Sequence, residues 1–250
     1  MIFENRYFPR VTIDNEDSIS LQEFCKWNDI EIVEAHDIME VNSSILELSQ
    51  KLLLGYMRYS DLMTFLSVAL TKKEKHLRYI LKPPYTTSKL DCEYVLNLFV
   101  NSNILTDVSY SSISKSYWIE TNLENEYSMR DILNIGLCSY IVSLRNSYSC
   151  IKYSVKINIS GNEEYASVVL LCENKLIIIA IENAIGLESE ISSHLKQLER
   201  LKKKIFKARQ VFCDIEDIYI VTPYVSRLLP STPKIITIDQ IKDIEIHLAD

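Results

Sequence analysis

The sequence predicts an α/β protein: a mixed-sheet domain in the second half, preceded by a smaller helical module closed by a β-hairpin. Three observations carry this. Residues 150–182 hold three successive strand patterns, and one of them, KLIIIAIENA, is almost continuously apolar, as in the buried centre of a sheet. Residues 60–122 place helical patterns ahead of two alternating apolar–polar runs. The chain is 250 residues long with 47% hydrophobic and 24% charged residues, the ordinary globular mix, and enough for one large domain or two small ones.

The elements follow in order. Residues 1–59 read as an acidic mixed segment. In it EIVEAHDIMEV is a strand with a turn, and NSSILELSQKLLLGYMRY is a helix capped near Ser43 or Ser44. Residues 60–124 form the module. SDLMTFLSVAL has helical spacing, and TKKEKHLRYIL continues as a second helix with Leu77, Ile80 and Leu81 on one face, stopped by Pro83 and Pro84. TTSKLDCEYVLNLFVNSN is a third helix behind a Thr/Ser cap, striped by Leu90, Tyr94, Val95, Leu98 and Phe99. ILTDVSY and SKSYWIETN then alternate across a Ser-rich turn, the pattern of a hairpin. Residues 128–250 form the α/β domain. SMRDILNIGLCSYIVSLRNSY is a long amphipathic helix; IKYSVKINI, YASVVLLC and KLIIIAIENA are strands, the first two divided by a turn at Gly161–Asn162. A basic helix at SEISSHLKQLERLKKKIFKARQVF, strands at DIYIVTP and KIITID, and a short terminal helix complete the order α-β-β-β-α-β-β.

Composition and charge exclude several functions. Gly55, Gly136, Gly161 and Gly186 each stand alone, so no glycine-rich phosphate loop is present. The six cysteines form no CxxC pair, which argues against structural zinc and for reduced, buried thiols. The four histidines lie in no hydrolase or zinc-protease context. No apolar run is long enough to span a bilayer and the N-terminus lacks a signal-peptide pattern, so a cytoplasmic, intracellular protein without membrane contact is expected. Glu31, Glu34, Asp37 and Glu40 cluster around His36; a solvated acidic face is favoured there over a metal site. Net charge is −7, unevenly spread: residues 1–60 hold 5 basic and 11 acidic side chains, while residues 193–250 hold 10 and 8. An acidic whole disfavours a general polyanion binder, but a local basic face is compatible with one.

Helices followed by a hairpin resemble a winged helix-turn-helix, whose third helix reads the major groove. Here that helix offers Lys89, Asn97 and Asn101 beside Asp91 and Glu93, whereas the preceding stretch carries Lys72, Lys73, Lys75, Arg78 and Lys82. The second half resembles the PD-(D/E)XK, or restriction-endonuclease-like, superfamily, and most of all the nuclease domains of CRISPR-associated effectors activated by ring nucleotides. Three stretches carry the likeness: Gly136-Leu-Cys-Ser-Tyr140 in the helix, Asn162-Glu-Glu-Tyr-Ala-Ser-Val-Val-Leu-Leu171 in one strand, and Lys175-Leu-Ile-Ile-Ile-Ala-Ile-Glu182 in the next. The resemblance implies two carboxylates that bind Mg²⁺ and a lysine that orients the attacking water. Aligned strand for strand, Ser167 stands at the Asp position, Ala180 at the Glu position, Glu182 at the Lys position and Ser139 at the helical Glu position.

These replacements point to a non-catalytic nucleic-acid-associated protein without a resident metal or cofactor, in the setting of mobile elements or antiviral defence that the resemblance implies. Its expected nucleic-acid contacts are Lys196, Arg200, Lys203, Lys204 and Lys207, spaced along one helix face, with Lys72, Lys73, Lys75, Arg78 and Lys89 in the module. One alternative is a Mg²⁺-dependent nuclease with a displaced site built from Glu182, Glu164, Glu190 and Lys196. Another is a protein-binding adaptor or homodimeric assembly factor.

Overall fold

The computed structural model describes residues 21–27, 30–82, 86–144, 150–159, 161–172, 175–182, 214–221 and 235–244. The chain divides into two compact units: one takes in the chain up to Glu40 and from Leu137 onward, the other runs Val41–Gly136.

The second of these, Val41–Gly136, begins with α2 (Ser43–Leu54), after α1 (Leu21–Trp27) of the other unit. Its N-cap is Asn42, whose side chain accepts the Ser44 amide at 2.9 Å. The helix α3 (Tyr56–Lys72) follows and ends where Lys73 takes a left-handed φ of 52°. The next element corrects the sequence reading. His76–Ile80 is a strand, β2, and not a second helix. Leu77, Ile80 and Leu81 fit a helical face, but Leu77, Tyr79 and Leu81 fit an alternation equally well, and it is these three that are buried. The left-handed turn at Lys73 separates this run from α3, and pairing with β4 settles it as strand.

The helix α4 (Lys89–Asn101) forms as its cap predicts: Ser88 Oγ donates to Asp91 Oδ2 at 2.7 Å and accepts the Asp91 amide at 3.2 Å. The hairpin β3 (Leu105–Ser111) and β4 (Ser116–Thr121) also forms as expected, giving a three-stranded antiparallel sheet in the order β2-β4-β3. Asp61 of α3 ties the unit together. It accepts hydrogen bonds from the Tyr79 hydroxyl, the Thr87 hydroxyl and, at 2.8 Å, the Thr87 amide. Burial, then the bond to Asp61, pushes the Tyr79 phenol above its ordinary pKa.

The helix α5 (Met129–Leu144) is capped by Ser128 and Asp131, which bond reciprocally. It is not amphipathic over its middle: Ile132 to Ser139 are all buried. Gly136 explains the close packing of its first half. A Cβ there would lie 2.4 Å from the Ser49 carbonyl oxygen of α2.

The other unit holds a six-stranded sheet in the order β1-β5-β6-β7-β8-β9. Its strands are β1 (Ile30–His36), β5 (Cys150–Ile159), β6 (Asn162–Cys172), β7 (Lys175–Glu182), β8 (Asp214–Val221) and β9 (Ile235–Thr237). Pairing is antiparallel from β1 to β7 and parallel from β7 through β9, so the sheet is mixed. Thus β1, from the acidic first segment, joins this sheet, while α2, from the same segment, belongs to the other unit. Leu176 to Ile181 are buried without interruption, as their apolar run requires. The terminal QIKDIEIHL, expected to be a helix, is entered by a 3₁₀ stretch at Ile238–Asp243. The basic helix expected around 193–209, and Pro83 and Pro84, lie outside the described residues.

Candidate functional site

The resemblance sets Ser167 and Ala180 at positions whose carboxylates would act together, and these two positions are neighbours across β6 and β7. The β6–β7 ladder reaches Val168 opposite Ile179, and Ser167 and Ala180 are one step further along. At this point the sheet is irregular. The β5–β6 ladder pairs Tyr153 with Val168 and Val155 with Ala166, passing over Ser154 and Ser167, and Ser154 takes a φ of 48°. The alternation changes phase there: Ala166 packs into the same apolar cluster as Val169 and Leu171.

Ser167 is 2% exposed and its Oγ accepts the Ile181 amide at 2.8 Å. The hydroxyl thus supplies the acceptor that this strand end needs. Ala180 is 4% exposed and packs with Leu176 and Ile178. Magnesium takes hard, anionic oxygen ligands in near-octahedral geometry. A serine oxygen engaged by a backbone amide, beside a methyl group, does not fit that ion. Ser139, which the resemblance sets at a helical Glu position, is buried in α5.

The displaced-site candidates are distributed as follows. Glu182 ends β7 beside Val221 of β8, and Glu164 sits in β6 opposite Ile157. Glu163, next to it, pairs with Lys156 at 2.6 Å. Glu190 and Lys196 lie outside the described residues, as do Arg200, Lys203, Lys204 and Lys207.

The acidic cluster resolves into separate contacts. His36 Nε2 lies 3.0 Å from Glu34 and its ring stacks against Tyr153, while Asp37 accepts from Lys152 Nζ at 2.6 Å. The Lys152 hydrogen bond holds the Asp37 carboxyl below the usual range. Among the described residues no three His, Cys, Asp or Glu side chains gather as a metal-binding group. Cys25, Cys92 and Cys138 are buried thiols and Cys150 is a partly buried one; burial pushes the Cys138 thiol up to about 12. No helix among the described residues is long and apolar enough to cross a membrane.

The basic residues of the Val41–Gly136 unit do not form the continuous helix face that a helical 71–81 would give. Lys72 ends α3, Lys73 is its left-handed cap, and Lys75 precedes β2 and reaches Glu120 at 3.3 Å. Lys89 lies 3.4 Å from Glu93 and 4.4 Å above the Tyr110 ring. Lys82 follows β2. Arg78 lies on the outer face of β2, because Leu77 and Tyr79 on either side of it face inward. Its guanidinium carbon sits 5.1 Å from the centre of the Trp118 ring. Trp118 is a residue that sequence reasoning missed. The strand register sets Arg78 directly opposite Trp118, and that register rests on recognising β2.

No protein-family model matches the chain, and no curated protein matches it. Solved structures do. Protein VC1899 from Vibrio cholerae matches with a TM-score of 0.55 and 15% identity, over 96% of this chain and 61% of that one. Can2 from Sulfobacillus thermosulfidooxidans, solved in complex with cyclic tetra-adenylate, matches with a TM-score of 0.53 and 10% identity, over 92% of this chain and 59% of that one. At identities this low the likeness shows the fold alone. The chain spans about three fifths of the length of each neighbour.

Proposed function

We propose that this chain is a non-catalytic nucleic-acid-associated protein in antiviral defence. In this reading it is built on a degenerate restriction-endonuclease-like scaffold, with a winged-helix-like module at residues 60–124, within the unit Val41–Gly136. The observation that carries the non-catalytic part is the Ser167 hydroxyl held by the Ile181 amide, next to Ala180, where the family keeps its metal-binding carboxylates. The element order α5-β5-β6-β7, with β8 parallel to β7, supports the scaffold assignment. The order α2-α3-β2-α4-β3-β4, with β4 between β2 and β3, supports the module assignment. The fold shared with Can2, together with the resemblance to ring-nucleotide effectors, supports the defence setting.

Affinity for nucleic acid would come from phosphate neutralisation by Lys196, Arg200, Lys203, Lys204 and Lys207, aided by Arg78. A mobility-shift titration of single- and double-stranded DNA and RNA, at low and physiological salt, tests this. Retention should weaken steeply with salt, and Lys203→Glu with Lys204→Glu should reduce it at least tenfold. Absence of retention on every substrate would overturn the reading.

One observation favours a second reading, a protein-binding adaptor. On α4, Leu90 is 76% exposed and Tyr94 42% exposed, while Lys89 is engaged by Glu93. Such a face suits a protein partner or a second copy better than a phosphate backbone. It predicts that Leu90→Ser with Tyr94→Ser abolishes self-association in sedimentation while leaving any nucleic-acid retention intact.

A further inference from the structure

We propose that the outer face of the β2-β4-β3 sheet is a binding site for single-stranded nucleic acid, with Trp118 as the stacking surface and Arg78 as the phosphate contact. The inference rests on the nucleic-acid reading above and gives it a location and a substrate class.

The site begins with the strand register. Arg78 of β2 and Ser109 of β3 both lie directly opposite Trp118 of β4. The inward face of this sheet is filled by Leu77, Tyr79, Leu105, Tyr117 and Ile119, all buried. Trp118 is therefore on the other face, 51% exposed, in the middle strand. The half-open indole at the centre of the sheet offers a π-face on which a base can stack. Ser109, on one side, is too short to cover it. Arg78, on the other, stacks on the ring.

The guanidinium is also fixed in orientation. Its Nε donates to Ser116 Oγ at 3.1 Å, and that hydroxyl lies 2.7 Å from Ser114 Oγ. With Nε engaged, the two terminal nitrogens present four N–H donors that have no partner among the described residues. A guanidinium held by one edge, with its fork open, matches a phosphate oxygen pair. The neighbouring Lys75 is engaged by Glu120, which leaves Arg78 as the cation presented beside the indole.

The combination of an open aromatic and an oriented arginine fits an unstacked base with its adjoining phosphate. It does not fit a duplex, whose bases are stacked away from side chains on a flat sheet. On α4 the cation, Lys89, is engaged by Glu93, and the neighbouring Leu90 is an exposed apolar side chain.

The chain has two tryptophans, Trp27 and Trp118, so ligand stacking is read directly from emission. The full chain is titrated with twelve-residue oligo(dT) and oligo(U) and with a duplex of equal length, following fluorescence quenching and, in parallel, anisotropy of a labelled oligonucleotide. Saturable quenching by the single strands is expected. It should be lost in Trp118→Phe if the emission change belongs to this ring. Arg78→Ala should weaken single-strand affinity on the order of tenfold and lower the salt slope by about one, and Trp118→Ala should weaken it by about 10- to 100-fold. Arg78→Lys should not restore it, because an ammonium lacks the fork. Arg78 is exposed, so its variants report on binding without disturbing the core. Saturable single-strand binding without quenching, and unchanged in Arg78→Ala, would overturn this site while leaving the nucleic-acid reading standing. Absence of binding by any oligonucleotide would overturn both.

Discussion

The hydroxyl of Ser167 carries two consequences, one for stability and one for chemistry. It accepts the Ile181 amide inside a sheet where water has no access. Ser167→Ala would leave that N–H buried without an acceptor, which costs about 1–3 kcal/mol. Urea denaturation should show a loss of that size with an unchanged denaturant slope; a difference within about 0.5 kcal/mol would mean the strands re-pair to satisfy the amide. The chemical consequence is that a neutral oxygen already accepting an amide is a poor ligand for a hard cation. Asp91 gives a second prediction at this scale. The hydrogen bond from Arg58 at 2.5 Å holds its carboxyl below the ordinary aspartate range; burial opposes this and Ser88 assists it. A depressed folded-state pKa contributes stability that is present above the unfolded pKa of about 3.9 and is lost as pH falls towards the folded value. Asp91→Asn should therefore lower Tm at neutral pH, and the gap to the parent should close as the pH falls below about 4. A gap that stays constant down to strongly acidic pH would show that the pair contributes nothing through its charge.

The elements that announce themselves in the sequence are those with local punctuation. Ser88 and Asp91 mark the start of α4, the Ser-rich turn marks the β3–β4 hairpin, Gly161 with a φ of 82° marks the β5–β6 turn, and the apolar run marks β7. β2 has no such mark. Five residues of mixed charge and aliphatic character satisfy both periods, and only the partner strand and the Tyr79–Asp61 bond decide between them. The site on the sheet face was hidden for the same reason: Arg78 and Trp118 meet through a pairing that no local pattern encodes. The α5 helix was legible as a helix but not in its surroundings, because eight consecutive buried positions arise from neighbours on several sides. Gly136 records that crowding. Gly136→Ala gains about 1 kcal/mol of helix propensity, yet its new Cβ meets Ser49 backbone at 2.4 Å. Backbone cannot rotate away as a flexible side chain does, so the variant should be less stable by about 1–3 kcal/mol, seen as a fall in Tm of a few degrees. A rise in Tm would mean that α2 and α5 separate freely.

At the scale of the molecule, one unit carries the mixed sheet with Ser167 and Ala180 on neighbouring strands, and the other carries the sheet face of Arg78 and Trp118. The sequence was sufficient for the mixed α/β class, because apolar runs and turn residues are local signals. It was insufficient for the division of the chain, because β1 joins its sheet through pairing with β5, more than a hundred residues away. Both units bear on one proposal: that the scaffold holds nucleic acid and does not cut it. The most direct measurement incubates end-labelled single- and double-stranded DNA and RNA with the full chain and Mn²⁺, in parallel with Glu182→Ala, and resolves the products on a denaturing gel. The account predicts that every substrate remains at full length with both proteins. Metal-dependent cleavage by the parent chain that disappears in Glu182→Ala would contradict it and assign a displaced active site to the end of β7.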